Sequence, residues 1–61
     1  MMAVRVLLGE DNALLREGIS GLLRAEADIE LVASCSDLPT MLRLTDELTP
    51  DVVLTDIRMP P

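Results

Sequence analysis

Residues 4–12 have the sequence VRVLLGEDN, a short apolar run broken only by Arg5 and followed by a polar turn. A run of this kind ending at glycine indicates a strand covered on both faces, as strands of parallel sheets are. Two further runs, 30–35 (ELVASC) and 51–55 (DVVLT), predict a second and a third strand. The first run is the most apolar of the three, so we expect it at the centre of the sheet.

Helical periodicity fills the two segments between these strands. Asn12 is suited to cap the first helix, and Ser36 or Asp37 the second. The second helix ends before Thr49-Pro50, because proline cannot continue a helix. The apolar face predicted for the first helix consists of Leu15, Ile19, Leu22 and Leu23. The corresponding side of the second helix consists of Leu38, Met41, Leu42, Thr45 and Leu48.

The order β-α-β-α-β predicts an α/β fold with a parallel sheet. Crossovers between parallel strands are right-handed in nearly all proteins, and a central first strand then gives the strand order 2-1-3 with one helix on each face. In such sheets ligands bind where the strand order reverses, at the carboxyl ends of the strands. Glu10, Asp11 and Asp56 all follow strand ends at that place.

Composition restricts the possible functions. The 61 residues carry eleven acidic side chains, five arginines and no lysine, with a formal charge of −6. Nucleic acids are held mainly by clustered Lys and Arg, so we expect no direct nucleic-acid binding by this chain. Cys35 is the only cysteine, which excludes an internal disulfide and favours a reducing compartment. No signal peptide and no apolar run of about 18 residues is present, which predicts a cytoplasmic protein with no membrane segment.

The three acids predict a cation site. Carboxylates gathered at one rim repel one another, so a fold that keeps them normally neutralises them with a cation. Oxygen ligands in small number suit Mg²⁺, which binds one or two carboxylates and phosphate oxygens. A carboxylate beside the metal can also accept a phosphoryl group. A single acid after a strand is usually only a solvated loop residue. A pair of acids after one strand, with a third after another strand, is stronger evidence of a cation site.

Three segments resemble a known family. The sequences LLGEDN (7–12) and VVLTDIRMPP (52–61) are similar to receiver domains of two-component response regulators. The sequence LLREGISGLL (14–23) resembles the first helix of the subgroup that ends in a LuxR/NarL-type helix-turn-helix. The resemblance implies a flavodoxin-like (CheY-like) fold and, for the parent protein, control of transcription through a DNA-binding output domain.

The same resemblance assigns roles to the site residues. Asp56 would be the phosphoacceptor, taking its phosphoryl group from a sensor histidine kinase. Asp11 and Asp56 would ligate Mg²⁺ directly, Glu10 would assist through water, and the backbone carbonyl of Arg58 would complete the protein ligands. Glu10 stands where many members carry Asp, which keeps an oxygen ligand in place. The chain would then be a signalling phosphoacceptor and not an enzyme.

Members of this family are about twice as long, near the usual domain size, with five strands and five helices. We therefore expect residues 1–61 to be the amino-terminal half of a truncated receiver, without the switch hydroxyl and the lysine that pairs with the phosphoryl group. Mg²⁺ binding would survive weakly and stable phosphorylation would not. The outer edge of the third strand, beside Val52, Val53 and Leu54, would promote self-association.

Two alternatives remain. The chain could be an inert, self-associating structural fragment whose carboxylates bind no ligand. A phosphatase with an aspartate nucleophile is disfavoured, because that chemistry usually has a second acid two residues after the nucleophile and position 58 is Arg.

Overall fold

The computed structural model describes residues 3–56 of the chain. They form five elements in the predicted order: β1 (Val4–Gly9), α1 (Ala13–Arg24), β2 (Ile29–Cys35), α2 (Leu38–Leu48) and β3 (Val52–Thr55). All three strands are parallel and lie in the order β2-β1-β3, which confirms the predicted fold class. No helix in this part of the chain has the length and apolar character needed to cross a membrane.

The core lies on both sides of the central strand. Leu7 is fully buried and packs with Cys35 of β2 and Met41 of α2. Successive strand residues point to opposite faces, so Leu8, also buried, points to the other face, where it borders Ile19 of α1. The two helices therefore cover opposite faces of the sheet, as expected from the topology.

The register of β3 determines what lies at the carboxyl ends of the strands. Val6 pairs with Val52 and Gly9 with Thr55. The backbone N–H of Asp56 donates to the carbonyl of Gly9 at 3.3 Å, which continues the ladder one residue past β3. Asp56 consequently follows the sheet at the level where β1 turns into Glu10.

The predicted apolar face of α1 is wrong in part. Leu15 is 50% exposed and Leu22 is 73% exposed, whereas the buried residue of the helix is Ser20. The helix contacts β2 most closely and β1 less, and neither contact buries Leu15 or Leu22. Of the predicted face, only Ile19 and Leu23 are partly buried.

The predicted face of α2 also needs correction. Met41 is buried, and Thr45 and Leu48 are partly buried as expected, but Leu38 is 37% and Leu42 58% exposed. Leu44, which the spacing argument omitted, packs against the core instead. This helix meets the sheet through Met41 and Leu44, three positions apart, so the contacting stripe runs beside Leu42 and not through it.

Asp37 caps α2 and makes its stability dependent on pH. Its Oδ1 accepts a hydrogen bond from the backbone N–H of Thr40 at 2.8 Å, and this bond lowers the pKa of the carboxyl group. A carboxyl group whose pKa is lowered by folding stabilises the fold above its ordinary pKa. That contribution is lost as the pH falls through the lowered value, which places the loss below about pH 4.

We expect Asp37→Asn to remove this pH dependence and to keep the cap, because asparagine caps helices about as well as aspartate. Urea unfolding at neutral pH should be similar for the two proteins. Below about pH 4 the wild-type chain should lose more of its stability than the variant does. Parallel losses of stability in the two proteins would contradict this role of Asp37.

Candidate functional site

The turn after β1 holds Glu10 firmly. The residue is 5% exposed, and its backbone N–H donates to the carbonyl of Cys35 at 2.9 Å. The backbone N–H of Asn12 donates to Glu10 Oε2 at 3.1 Å, and Arg16 Nη1 donates to the Glu10 carbonyl at 2.8 Å. Glu10 is therefore fixed from three directions, by β2, by its own turn and by α1.

Asn12 begins α1, as the sequence predicted. Its backbone is extended, with φ −78° and ψ 116°, and its side chain accepts a hydrogen bond from the backbone N–H of Leu15 at 2.9 Å. This cap ends the turn immediately after Asp11. The side chain of Asp11 is exposed at the rim, beside the buried Glu10.

The three predicted acids converge. One carboxylate oxygen from each of Glu10, Asp11 and Asp56 lies within 4.8 Å of the other two. They face a shallow cavity of about 370 Å³ whose remaining lining residues are Asn12 and Leu15. The fourth predicted ligand, the carbonyl of Arg58, falls outside the described residues.

The chemistry of this donor set fits a hard cation. The three groups are oxygen ligands with negative charge, which Mg²⁺ prefers, and they are too few to replace all of its waters. Their exposure differs, from buried Glu10 through half-buried Asp56 to exposed Asp11. The site therefore has a fixed inner wall and an open side from which a phosphate-bearing ligand could approach.

Two supporting contacts to Glu10 were not predicted. Asn12 was expected only as a helix cap, but its backbone N–H also holds the Glu10 carboxylate. Arg16 was not singled out, although it lies four residues after Asn12 and so on the same side of α1. The four-residue spacing could have indicated that Arg16 lies near the turn. The partner of Arg16 is a backbone carbonyl, which no sequence pattern identifies.

Cys35 lies behind the site. It is 6% exposed within the core, and its Sγ–H donates to the carbonyl of Leu8 at 3.6 Å. Burial raises the pKa of the thiol, and the negative charge of Asp37 raises it further. The buried thiol packs as a small member of the core beside Leu7 and Met41.

A parallel sheet in the order β2-β1-β3, with two acids after its first strand and an aspartate after its third, is the arrangement of CheY-like signalling domains. The chain belongs to the response regulator receiver domain family, whose model matches residues 6–61.

Several characterised proteins resemble it. The transcriptional regulatory protein LiaR of Bacillus subtilis is 43% identical over 56 residues, which cover 92% of this chain and 26% of that protein. A protein-glutamate methylesterase/protein-glutamine glutaminase of Rhodopseudomonas palustris is 43% identical over 58 residues, covering 93% and 16%. The chain thus spans about a quarter or less of these relatives.

A solved structure resembles it closely. The signal receiver domain of the response regulator NarL from Mycobacterium tuberculosis superposes with a TM-score of 0.94 at 37% identity. The match covers 98% of this chain and 48% of that one. The expected resemblance to receivers of the NarL type is therefore confirmed.

Proposed function

We propose that Asp56 is a phosphoacceptor that takes a phosphoryl group from a sensor histidine kinase. The observation that carries this proposal is the convergence of Glu10, Asp11 and Asp56 within 4.8 Å at the carboxyl ends of β1 and β3. Membership of the receiver family supports the assignment. In this role the carboxylate oxygen of Asp56 attacks the phosphorus atom, and the kinase histidine leaves with its electron pair. Within a complete receiver, the chain serves as a signalling phosphoacceptor and not as an enzyme.

The site would hold Mg²⁺ through this chain's own oxygens. Asp11 and Asp56 are the direct ligands in the proposal, Glu10 binds through water, and the carbonyl of Arg58 completes the set. When bound, the ion offsets negative charge on the transferring phosphoryl group. Buried Glu10, held by Asn12 and Arg16, keeps the inner wall of the site in place.

The proposal also concerns whether the chain on its own can bind Mg²⁺ and keep a phosphoryl group. In this proposal residues 1–61 correspond to the amino-terminal half of a receiver, and the match to 48% of the solved NarL receiver supports this. The sequence contains no lysine to pair with the phosphoryl oxygens. The chain alone therefore binds Mg²⁺ weakly and keeps no stable phosphoryl group. In the cytoplasm, a complete regulator containing it would control transcription, with DNA bound by another domain.

Acetyl phosphate with Mg²⁺, followed by intact mass measurement, tests the phosphoacceptor. The chain alone should show no stoichiometric gain of a phosphoryl group. A chimera that joins the chain to the unmatched half of the NarL receiver should gain one, and the same chimera with Asp56→Asn should not. A folded chimera without a gain, or one that gains equally with Asp56→Asn, would contradict the assignment. A stoichiometric gain by the chain alone would contradict the stated lack of competence.

The exposure of β3 favours a second candidate, a self-associating fragment that binds no ligand. Val52, Val53 and Leu54 are 46%, 37% and 44% exposed, and among the described residues β3 pairs only with β1. An apolar edge strand offers unpaired backbone N–H and C=O groups to another chain. We propose that copies associate through this edge, by strand pairing or by exchange of elements.

Size-exclusion chromatography with light scattering tests this association. The wild-type chain should form dimers or larger species whose share rises with concentration. Val53→Lys should shift it to the monomer, because a lysine on an edge strand opposes pairing with another chain. A folded wild-type monomer at high concentration would contradict the proposal. Association with no Mg²⁺-dependent change at the three acids would favour the inert fragment over the phosphoacceptor.

A further inference from the structure

Burial alone sets the register of β3 only weakly. Its first three residues, Val52, Val53 and Leu54, are all apolar and are exposed to a similar extent, although they alternate between the two faces. A strand is held in register by burial when one face is apolar and buried and the other is polar. Shifting β3 by one residue would exchange one apolar side chain for another on each face. The observed register therefore needs another determinant.

Three hydrogen bonds at the start of β3 can determine its register. The backbone N–H of Asp51 donates to the carbonyl of Arg5 at 2.9 Å, and the backbone N–H of Arg5 donates to Asp51 Oδ2 at 2.9 Å. The guanidinium of Arg5 also donates, from Nη1 to the carbonyl of Thr49 at 3.0 Å. We name these three residues, Arg5, Thr49 and Asp51, the Arg5 clamp.

The Arg5 clamp lies where the chain turns from α2 into β3. Thr49 has φ 43° and ψ 60°, the left-handed conformation that a β-branched residue rarely adopts. The Arg5 guanidinium bonds the carbonyl of this residue, and the Asp51 carboxylate bonds the backbone of β1 two residues later. Both bonds depend on which residue of the turn lies opposite Arg5, so they distinguish one register from the next.

The other end of β3 carries the phosphoacceptor candidate. A slip of one residue moves Asp56 along the strand by about 3.3 Å and turns its side chain to the opposite face of the sheet. Either change would separate its carboxylate from those of Glu10 and Asp11, whose oxygens now lie within 4.8 Å of it. The geometry of the acidic site thus depends on the register of β3.

We propose that the Arg5 clamp sets the register of β3, with the side chains of Arg5 and Asp51 as its positioning groups, and so places Asp56 beside Glu10 and Asp11. The clamp acts from the opposite end of the strand, because Asp51 lies five residues, or roughly 16 Å, before Asp56. The inference concerns the register itself, and its consequence for metal binding rests on the proposed Mg²⁺ site.

Arg5→Leu, compared with Arg24→Leu, tests the inference. Each substitution removes one positive charge from a chain of net charge −6, which by itself favours cation binding. Arg24 lies exposed in the last turn of α1, away from the clamp. In an Mg²⁺ titration followed by NMR, Arg24→Leu should bind as tightly as wild type or more tightly. Arg5→Leu should bind Mg²⁺ on the order of tenfold more weakly, although the loss of a positive charge by itself would strengthen binding.

The register is measured directly by NOEs between the backbones of β1 and β3. In the wild type, Leu8 should contact Leu54, its partner in the ladder. In Arg5→Leu this contact should weaken, and contacts from Leu8 to Val53 or Thr55 should appear. Arg5→Lys, which keeps a donor for the Thr49 carbonyl, should restore the wild-type contacts and most of the Mg²⁺ affinity.

The outcomes separate the two proposals. An unchanged Leu8–Leu54 contact in Arg5→Leu would overturn the positioning role, whatever the Mg²⁺ affinity. Absence of Mg²⁺ binding by the wild type would count against the proposed function, while the NOE comparison would still decide on the clamp. If Arg5→Leu lacked a helical circular dichroism spectrum, Asp51→Ala would be measured instead. It should show the same change of NOE partners, and wild-type NOEs in Asp51→Ala would overturn the inference.

Discussion

Replacing Leu7 with alanine is expected to leave the chain largely unfolded. Leu7 lies on the central strand with no exposed surface, and it joins Cys35 of β2 to Met41 of α2. Truncating a buried leucine to alanine costs about 2–5 kcal/mol, because it removes apolar contacts and leaves a cavity. Small domains are only marginally stable, with a free energy of unfolding of about 5 kcal/mol at the low end of the range. The loss of this one side chain is therefore comparable to the whole stability of the fold.

Urea unfolding followed by far-ultraviolet circular dichroism measures this effect. Ser20→Ala is a matched control, since Ser20 is also buried, at 1% exposure, and its hydroxyl has no hydrogen-bond partner among the described residues. Removing that hydroxyl leaves no polar group unsatisfied, so the control should be as stable as wild type or more stable. A Leu7→Ala chain with the unfolding midpoint of wild type would show that the core is not organised around Leu7.

The second large effect is expected on the affinity for Mg²⁺. Asp11→Asn is expected to weaken Mg²⁺ binding on the order of tenfold or more, because the side-chain oxygen remains while its negative charge is lost. Two unit charges 4 Å apart interact by about 1 kcal/mol in water and about 4 kcal/mol near a protein surface. Each tenfold change in affinity corresponds to about 1.4 kcal/mol. Asp56→Asn should behave in the same way, since its carboxylate belongs to the same cluster.

Asp46→Asn provides the matched control for charge. Asp46 is exposed on α2 and lies outside the acidic cluster, and its replacement changes the net charge by the same amount. Isothermal titration calorimetry or an NMR titration at constant ionic strength should give nearly wild-type affinity for this variant. Equal losses of affinity in Asp46→Asn and Asp11→Asn would mean that Mg²⁺ responds only to the net charge of the chain.

Much of this fold could be predicted from the sequence, because the strands are short apolar runs bounded by polar turns. The predicted strands at 4–8, 30–35 and 51–55 agree with β1, β2 and β3 to within one residue at each end. The apolar character of the first strand predicted its central position and hence the strand order, and the right-handed crossovers then predicted one helix on each face. The convergence of Glu10, Asp11 and Asp56 followed from that order, because parallel strands end at the same rim.

The parts that could not be predicted depend on contacts between distant residues. Helical spacing identified Leu15 and Leu22 as apolar, but whether they are buried depends on how much of the sheet lies under α1. Arg16 donates to a backbone carbonyl of the turn, and Arg5 to one that lies 44 residues away. Backbone acceptors are the same at every position, so the sequence pattern carries no information about these partners.

In the proposed function, the turn after β1 and the end of β3 bring three acids around one cation. An Mg²⁺ titration of the wild-type chain followed by nitrogen-edited NMR spectra tests it most directly. Saturable shifts should appear at the amides of Glu10, Asp11 and Asp56 and their immediate neighbours, and should be absent from the exposed acids of α2. Shifts spread evenly over all acidic residues, or no shifts at millimolar Mg²⁺, would contradict the claim.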